Sequence, residues 1–464
     1  MSPRSMLNQL ILLLVSCLLL MACMTEPATS SDEAPVTEPE SQEMSDSEPE
    51  EAPVEESETA ASAEGQLIIT NARLIDGTGA EPVAGMTIVV EGNRIKEITS
   101  DAVETAGATV IDAEGRVVMP GLGDLHVHLL LEGGFTSLIT NENSIEEYIA
   151  DQRAERLPER MMQFLELGVT TVIDTGSYWP WILDVRESER SGELVSPRLF
   201  VVGKVFSSAN GHPATTICSF TSLQSDLCIE HFTEGSEDPE VLRQVVRDLA
   251  ASGVDGIKIV VDGSGDKRIN PAVAEVVIDE THAQGLPAIG HTMAGIAPTE
   301  HVVNAGIDML VHTVWLENDS YQTPNGADLP TLMAENGVSM IAEPHFTRNN
   351  RLLLDSFNAI RNAGVHVYFG TDFAPFGRNA NPTDGVRNSL ERFEVAGYSA
   401  LETITIATGN MAAHPMVPDD LGTIEIGNLA DIIVLGEGDP LEELELITQP
   451  QIVIKDGQIL VDKR

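Results

Sequence analysis

The sequence predicts an α/β protein: a (β/α)8 TIM barrel joined to a small β-sandwich domain assembled from both ends of the chain. Three observations lead there. Residues 120–416 alternate short apolar runs with helix-like stretches, the pattern left by repeated strand–helix units. Both flanks of that region are rich instead in short alternating strands punctuated by turn residues. The side chains best suited to hold a metal also fall, one after another, at the ends of the apolar runs.

The N-terminus reads as an address. Arg4 opens a short positive region, and Leu10 to Leu20 is almost wholly apolar but too short to span a bilayer comfortably. Leu20-Met21-Ala22-Cys23 resembles a bacterial lipobox, in which Cys23 is lipidated and becomes the first mature residue. Leu14-Val15-Ser16-Cys17 also fits, but cleavage there leaves part of the apolar stretch behind; an uncleaved anchor helix is the third reading. Met24 after the cysteine points to the outer membrane. The folded body is thus expected in the cell envelope, periplasmic or extracellular, touching the membrane only through its lipid anchor.

Residues 24–65 follow as a tether. From Glu26 to Glu64 there are fourteen acids and no Lys or Arg. Such a stretch cannot bury enough apolar surface to offset its ordering entropy, so it is expected to be disordered. The formal net charge of −47 exceeds what the tether holds, so the folded body is acidic too. That disfavours nucleic acid and anionic membrane surfaces as partners.

The sandwich is expected from residues 66–119 plus 417–464. LIITNARLIDG, MTIVVEGNRIKEI and TVIDAEGRVVMP come from the first segment, and ADIIVLG and PQIVIKDGQILV from the second. Between them, eight strand candidates follow in order: GDLHVHL, TTVIDTG, RLFVVGKVF, GIKIVV, PAIGHTM, DMLVHTV, VSMIAEP and VHVYFGTDF. Helix-like runs separate them, among them 239–251, 271–283, 298–305, 329–335 and 353–363. No glycine fingerprint for a nucleotide opens a strand–helix unit, and Gly263-Ser264-Gly265-Asp266 is a weak phosphate cradle.

His126 and His128 lie at i and i+2 at the end of the first barrel run, so on a strand both imidazoles reach the same side. Alone, the pair reads equally well as surface or core histidines. Lys258, His291, His312 and Asp372 then recur at later run ends, and this succession points to a metal site. Cys218 and Cys228 stand close together in a polar stretch. An exported location favours a disulfide between them, with two free thiols as the other reading.

From Leu67 to the C-terminus the chain resembles the amidohydrolase superfamily, in the imidazolonepropionase-like group that includes exported Xaa-Pro dipeptidases. The motifs that carry the resemblance are VVMPGLGDLHVHL, GVDGIKI, HTMAG, FGTD and GTIEIGNLADIIVL. It implies a hydrolase with two divalent ions, zinc first among them. His126, His128 and Asp372 would hold the more buried ion, and His291 and His312 the second. Lys258, carboxylated by carbon dioxide, would bridge them, whereas residue type alone suggests a lysine facing a carboxylate. Asp372 would move the proton. His212, in Asn210-Gly211-His212-Pro213, corresponds to a His-bearing loop that is richer in glycine in relatives; it would polarise the substrate or bind its carboxylate, or is a plain loop histidine.

The substrate implied is a small amide, foremost a dipeptide with proline at its C-terminal side. A cyclic amide, N-acyl amino acid, lactone or phosphotriester suits the same chemistry. A non-catalytic ligand-binding lipoprotein is the reading from another class, and homo-oligomerisation is left open. Imidazolonepropionase activity itself fits less well, since those relatives use one metal and lack the lysine. Arg348 and Arg351 are candidates for a substrate carboxylate or simply solvated, and His345 is a candidate for supporting the site. His231, His282, His301, His366 and His414 are expected to be structural or solvent-facing. Replacing Cys23 is expected to abolish lipidation, read as loss of detergent-phase partitioning; retained partitioning in that variant, with loss in a Cys17 variant, would move the anchor to Cys17.

Overall fold

The computed structural model describes residues 65–133, 144–293, 295–312, 321–376 and 380–464. Cys17, Cys23 and the acidic stretch 24–64 lie outside the described residues. Strands β1 (Gln66–Leu74), β2 (Val83–Glu91), β3 (Arg94–Thr99), β4 (Thr109–Asp112) and β5 (Val117–Pro120) come first. The barrel strands follow: β6 (Leu122–Val127), β7 (Val169–Asp174), β8 (Arg198–Val201), β9 (Val205–Phe206), then β11 (Ile257–Val260), β12 (Ala288–His291), β13 (Met309–Val311), β14 (Ser339–Ala342) and β15 (Val367–Phe369). The short β10 (Thr233–Glu234) pairs beside β9. The chain ends with β16 (Ile432–Leu435), β17 (Pro450–Lys455) and β18 (Gln458–Asp462).

The β-sandwich domain draws on both ends of the chain. Its strands run β18-β17-β16-β5-β1-β2-β3, with β4 pairing β1. β16 from the C-terminal end lies antiparallel to β5. One apolar core spans the two segments, including Ile69, Ile88, Val118, Ile432 and Ile454, all almost fully buried.

The barrel strands are parallel. The run RLFVVGKVF splits into β8 and β9 around Gly203, whose positive φ of 76° interrupts one strand line. The ring closes where Val127 bridges Phe373 and His128 N donates to Phe373 O at 2.7 Å. Leu125, Ile173, Phe200, Ile289, Ile341 and Tyr368, from six strands, pack into one cluster. The barrel is therefore a filled core and not a pore, with its chemistry left to the strand ends.

The helices start where the sequence supplies caps. Asp238 and Asn270 accept from the second helical N–H, and each is followed by proline, whose missing N–H costs nothing at that position. The helix expected from Leu353 begins earlier, at Asn350, because Asn349 caps two backbone N–H groups. The one expected from Pro298 begins at Ile296, after Gly295 at φ 108°. No described helix is long and apolar enough to cross a membrane.

Pro120-Gly121 turns the chain from sandwich to barrel. A Cβ on Gly121 would sit 2.1 Å from Thr170 Oγ1 and 2.8 Å from its Cβ, on the neighbouring barrel strand. Gly121→Ala should therefore destabilise the body by about 1–3 kcal/mol, read by denaturant unfolding. Trimming Thr170 to Ala in the same chain should recover part of the loss; an unchanged midpoint for Gly121→Ala alone would contradict this packing.

Candidate metal centre

Five candidate ligands stand at or within three residues of the carboxyl end of a barrel strand, Lys258 stands within β11, and His126, His128 and His291 are each pinned by an acceptor from another element. His126, near the end of β6, has Nδ1 2.5 Å from Glu343 Oε1. His128, just beyond β6, donates from Nδ1 to Gly176 O at 2.6 Å. A carbonyl or carboxylate oxygen can only accept, so both protons sit on Nδ1 and both Nε2 lone pairs are left facing inward. Asp372 Oδ1 lies 3.3 Å from His126 Nε2 and 3.2 Å from His128 Nε2. Three electron-rich atoms converge with no hydrogen of their own to share, an arrangement that calls for a cation or an added proton between them. Lys258 Nζ is 3.4 Å from His126 Nε2.

A second set faces the first. His291 Nε2 is tied to Asp262 Oδ2 at 2.9 Å, which directs its Nδ1 at His312 Nε2, 2.8 Å away. His312 Nδ1 lies 3.2 Å from Glu343 Oε2. His126, His128 and His291 thus follow the pattern in which a metal-binding imidazole is oriented through its other ring nitrogen, while His312 Nδ1 faces Glu343 without a hydrogen bond.

The electrostatics keep three of the four rings neutral, the form that can ligate. Burial pulls His126 down to about 3, with the Lys258 charge adding to it. Burial likewise lowers His291 and His312 to about 4. His128 is pulled down by burial but carried above its ordinary value by the Asp372 carboxylate. Burial alone would raise Asp372, yet His126, His128 and His312 hold it well below the usual carboxylate range. Burial lowers Lys258 to about 8, partly offset by Asp372 and Glu343.

Backbone strain concentrates here too. His312 and Asp372 have φ of 72° and 51°, a left-handed conformation that costs a non-glycine residue about 1–3 kcal/mol. Three fully buried carboxylates brace the strand ends here. Glu343 accepts from His312 N at 2.8 Å. Asp124 accepts from Thr371 N at 2.9 Å and Thr371 Oγ1 at 2.6 Å, fixing the residue before Asp372. Asp174 accepts from Leu129 N, Gly176 N and Ser177 Oγ, and so fixes the carbonyl that orients His128. Burial raises all three carboxyls, Asp124 to about 8.

These acids, with Asp262, are what the sequence reading missed. The signal was the one that marked Lys258: a lone charged residue within or closing an apolar strand, in GDLHVH, TVIDTG and IAEP.

The site opens into a cavity of about 370 Å³ walled by Leu131, Ile217, Phe232, Phe346 and Phe376 among others. His212 lines it, its ring stacked on His291 at 4.8 Å and its Nδ1 2.6 Å from Thr216 Oγ1. Burial lowers His212 to about 4. His345 also lines the cavity, held 2.6 Å from Ser389 Oγ. Arg348 and Arg351 are exposed and do not line it; Arg351 pairs with Asp355 on its own helix. His282, His301 and His366 meet Asp308, Glu275 and Asn410 O, while His231 packs on Trp181 and His414 on Tyr368. Cys218 and Cys228 form a disulfide with Cα atoms 5.4 Å apart, just after the His212 loop.

The amidohydrolase family profile matches residues 117–460, which take in every element of this centre. The chain belongs to the amidohydrolase family. It is 22% identical over 394 residues to an imidazolonepropionase of Thermoplasma volcanium, covering 78% of this chain and 86% of that one. It is 23% identical over 397 residues to a 5-methylthioadenosine/S-adenosylhomocysteine deaminase of Thermococcus onnurineus, covering 81% and 86%. The crystal structure of an Xaa-Pro dipeptidase with methionine bound in its active site superposes with a TM-score of 0.69 at 23% identity, covering 85% of this chain and 100% of that one. At such identities the structural likeness is one of fold.

Asp174→Asn should cost about 1–3 kcal/mol in metal-free protein, because the amide turns a donor toward a backbone N–H that needs an acceptor. Denaturant unfolding in chelator measures it, and unchanged stability would show that this buried acid does not hold the loop.

Proposed function

We propose that this chain is a metal-dependent hydrolase that cleaves a small amide with two divalent ions, zinc by preference. The observation that carries the proposal is the convergence of lone-pair atoms in two facing sets at the mouth of the barrel. His126, His128 and Asp372 would hold one ion, and His291 and His312 the other. Lys258 would lie between them as its carbamate. Its amine lies 3.4 Å from His126 Nε2 and lines the same cavity as His128 and His291. Burial favours the free amine that adds carbon dioxide, with a carbon–nitrogen bond formed and one proton released.

Two divalent ions at such a centre lower the pKa of a water and polarise a carbonyl. The chain's own residues do the rest. Asp372, held well below the usual carboxylate range, takes the proton of the attacking water and passes it to the leaving nitrogen. His212, stacked beside His291 on the cavity wall, is placed to polarise the substrate or hold its carboxylate.

An Xaa-Pro dipeptide is the substrate that the family resemblance puts first. The walls add a preference. Phe346, Phe376 and Met293 line the cavity while 45%, 42% and 43% exposed, which gives an acidic protein an apolar mouth. Such a mouth favours a bulky apolar residue or acyl group beside the scissile bond. By the lipobox reading, the reaction takes place in the cell envelope.

Purified protein should carry close to two divalent ions per chain by elemental analysis, and chelation should abolish hydrolysis of dipeptides and N-acyl amino acids. Lys258→Ala should lower both metal content and turnover. Asp372→Asn should keep most of the metal while losing about 10²–10⁴-fold in rate. Wild-type turnover in that variant, on any confirmed substrate, would remove Asp372 from the proton path.

A further inference from the structure

Glu343 follows β14 and is wholly buried. Its two oxygens go to different halves of the site. Oε1 lies 2.5 Å from His126 Nδ1; Oε2 accepts from His312 N at 2.8 Å and stands 3.2 Å from His312 Nδ1. Space is kept for this contact. A Cβ on Gly370 would sit 3.0 Å from His126 Cβ and 3.2 Å from Glu343 Oε1.

His126, His312 and Glu343 are close enough to hold a cation of their own. That arrangement would require His126 to give both ring nitrogens to cations and so to lose both protons, because its Nε2 already faces Asp372 and Lys258. A single N–H···O bond from Nδ1 satisfies the 2.5 Å contact without that cost.

We propose that Glu343 is a positioning residue that couples the two half-sites. Through Oε1 it fixes the tautomer and tilt of His126 in one. Through Oε2 it holds the left-handed backbone of His312 in the other. A carboxylate is one rigid plane, so neither contact shifts without the other. Asp262 makes a useful contrast, since it serves one half only: it takes His291 Nε2 at 2.9 Å and Met293 N at 2.5 Å. The inference rests on the metal-centre reading above.

The test is titration of chelated protein with zinc alone in bicarbonate buffer, with bound metal counted after dialysis. Wild type should take two zinc ions. Glu343→Gln keeps the shape but accepts only one of the two N–H groups and turns a donor toward the other. It should weaken both ions by about 10–100-fold, the usual effect of losing a ligand's supporting partner. Asp262→Asn should weaken one ion and spare the other. Circular dichroism of the metal-free variants checks the fold. If Glu343→Gln does not fold, Glu343→Asp, with both acceptors on a shorter stem, should show a smaller weakening of both ions.

Retention of wild-type affinity for either ion in the folded Glu343 variant would overturn the coupling. So would Asp262→Asn weakening both ions equally, or a wild-type stoichiometry of one. Two ions bound with Glu343 variants unaffected removes this inference and leaves the proposed function standing. A wild-type chain that binds no zinc removes both.

Discussion

Atoms that can only accept are brought together at the mouth of the barrel, and the rest of the structure is arranged around that constraint. Imidazoles turned so that their lone pairs meet a carboxylate oxygen repel one another until positive charge is placed among them. The protein fixes this arrangement by settling where the ring protons go. Gly176 O and Glu343 hold the protons of His128 and His126 on Nδ1, and Asp262 holds that of His291 on Nε2.

Holding it requires buried acids. Asp124, Asp174 and Glu343 are all fully shielded from water. An isolated carboxylate in such a place is strongly unfavourable unless it is hydrogen-bonded. Each is offset by several donors, mostly backbone N–H groups of the strand ends that carry the ligands. The same bonds keep His312 and Asp372 in left-handed backbone. Below them the barrel core is close-packed and apolar, so strain at the mouth is borne by a layer with little freedom to relax. The sandwich holds the first barrel strand at Pro120-Gly121, where a single added methyl has no room.

Much of this was legible in the sequence. All eight barrel runs carry strand, because a parallel strand covered on both faces is a short apolar run whatever lies next to it. The six candidate ligands stood out as polar residues within or closing such runs, and five of them appear in the ring and ion-pair contacts of one site, with Lys258 against His126. Boundaries were less legible: Asn349 starts its helix a turn earlier than the apolar periodicity suggests. The supporting acids were not legible. Glu343 meets His126 across 217 positions, and no local pattern says which distant atom a buried acid will face. Arg348 and Arg351 are exposed and outside the cavity, the solvated one of the two readings, with Arg351 on the first turn of the helix that Asn349 caps.

The most direct test is anomalous diffraction at the zinc edge from crystals of the zinc-loaded protein. Two peaks are predicted, one bounded by Nε2 of His126, Nε2 of His128 and Asp372, the other by Nδ1 of His291 and Nε2 of His312, with carbamate density on Lys258 between them. A peak between Glu343 and the Nδ1 atoms of His126 and His312, or none at the barrel mouth, would contradict it.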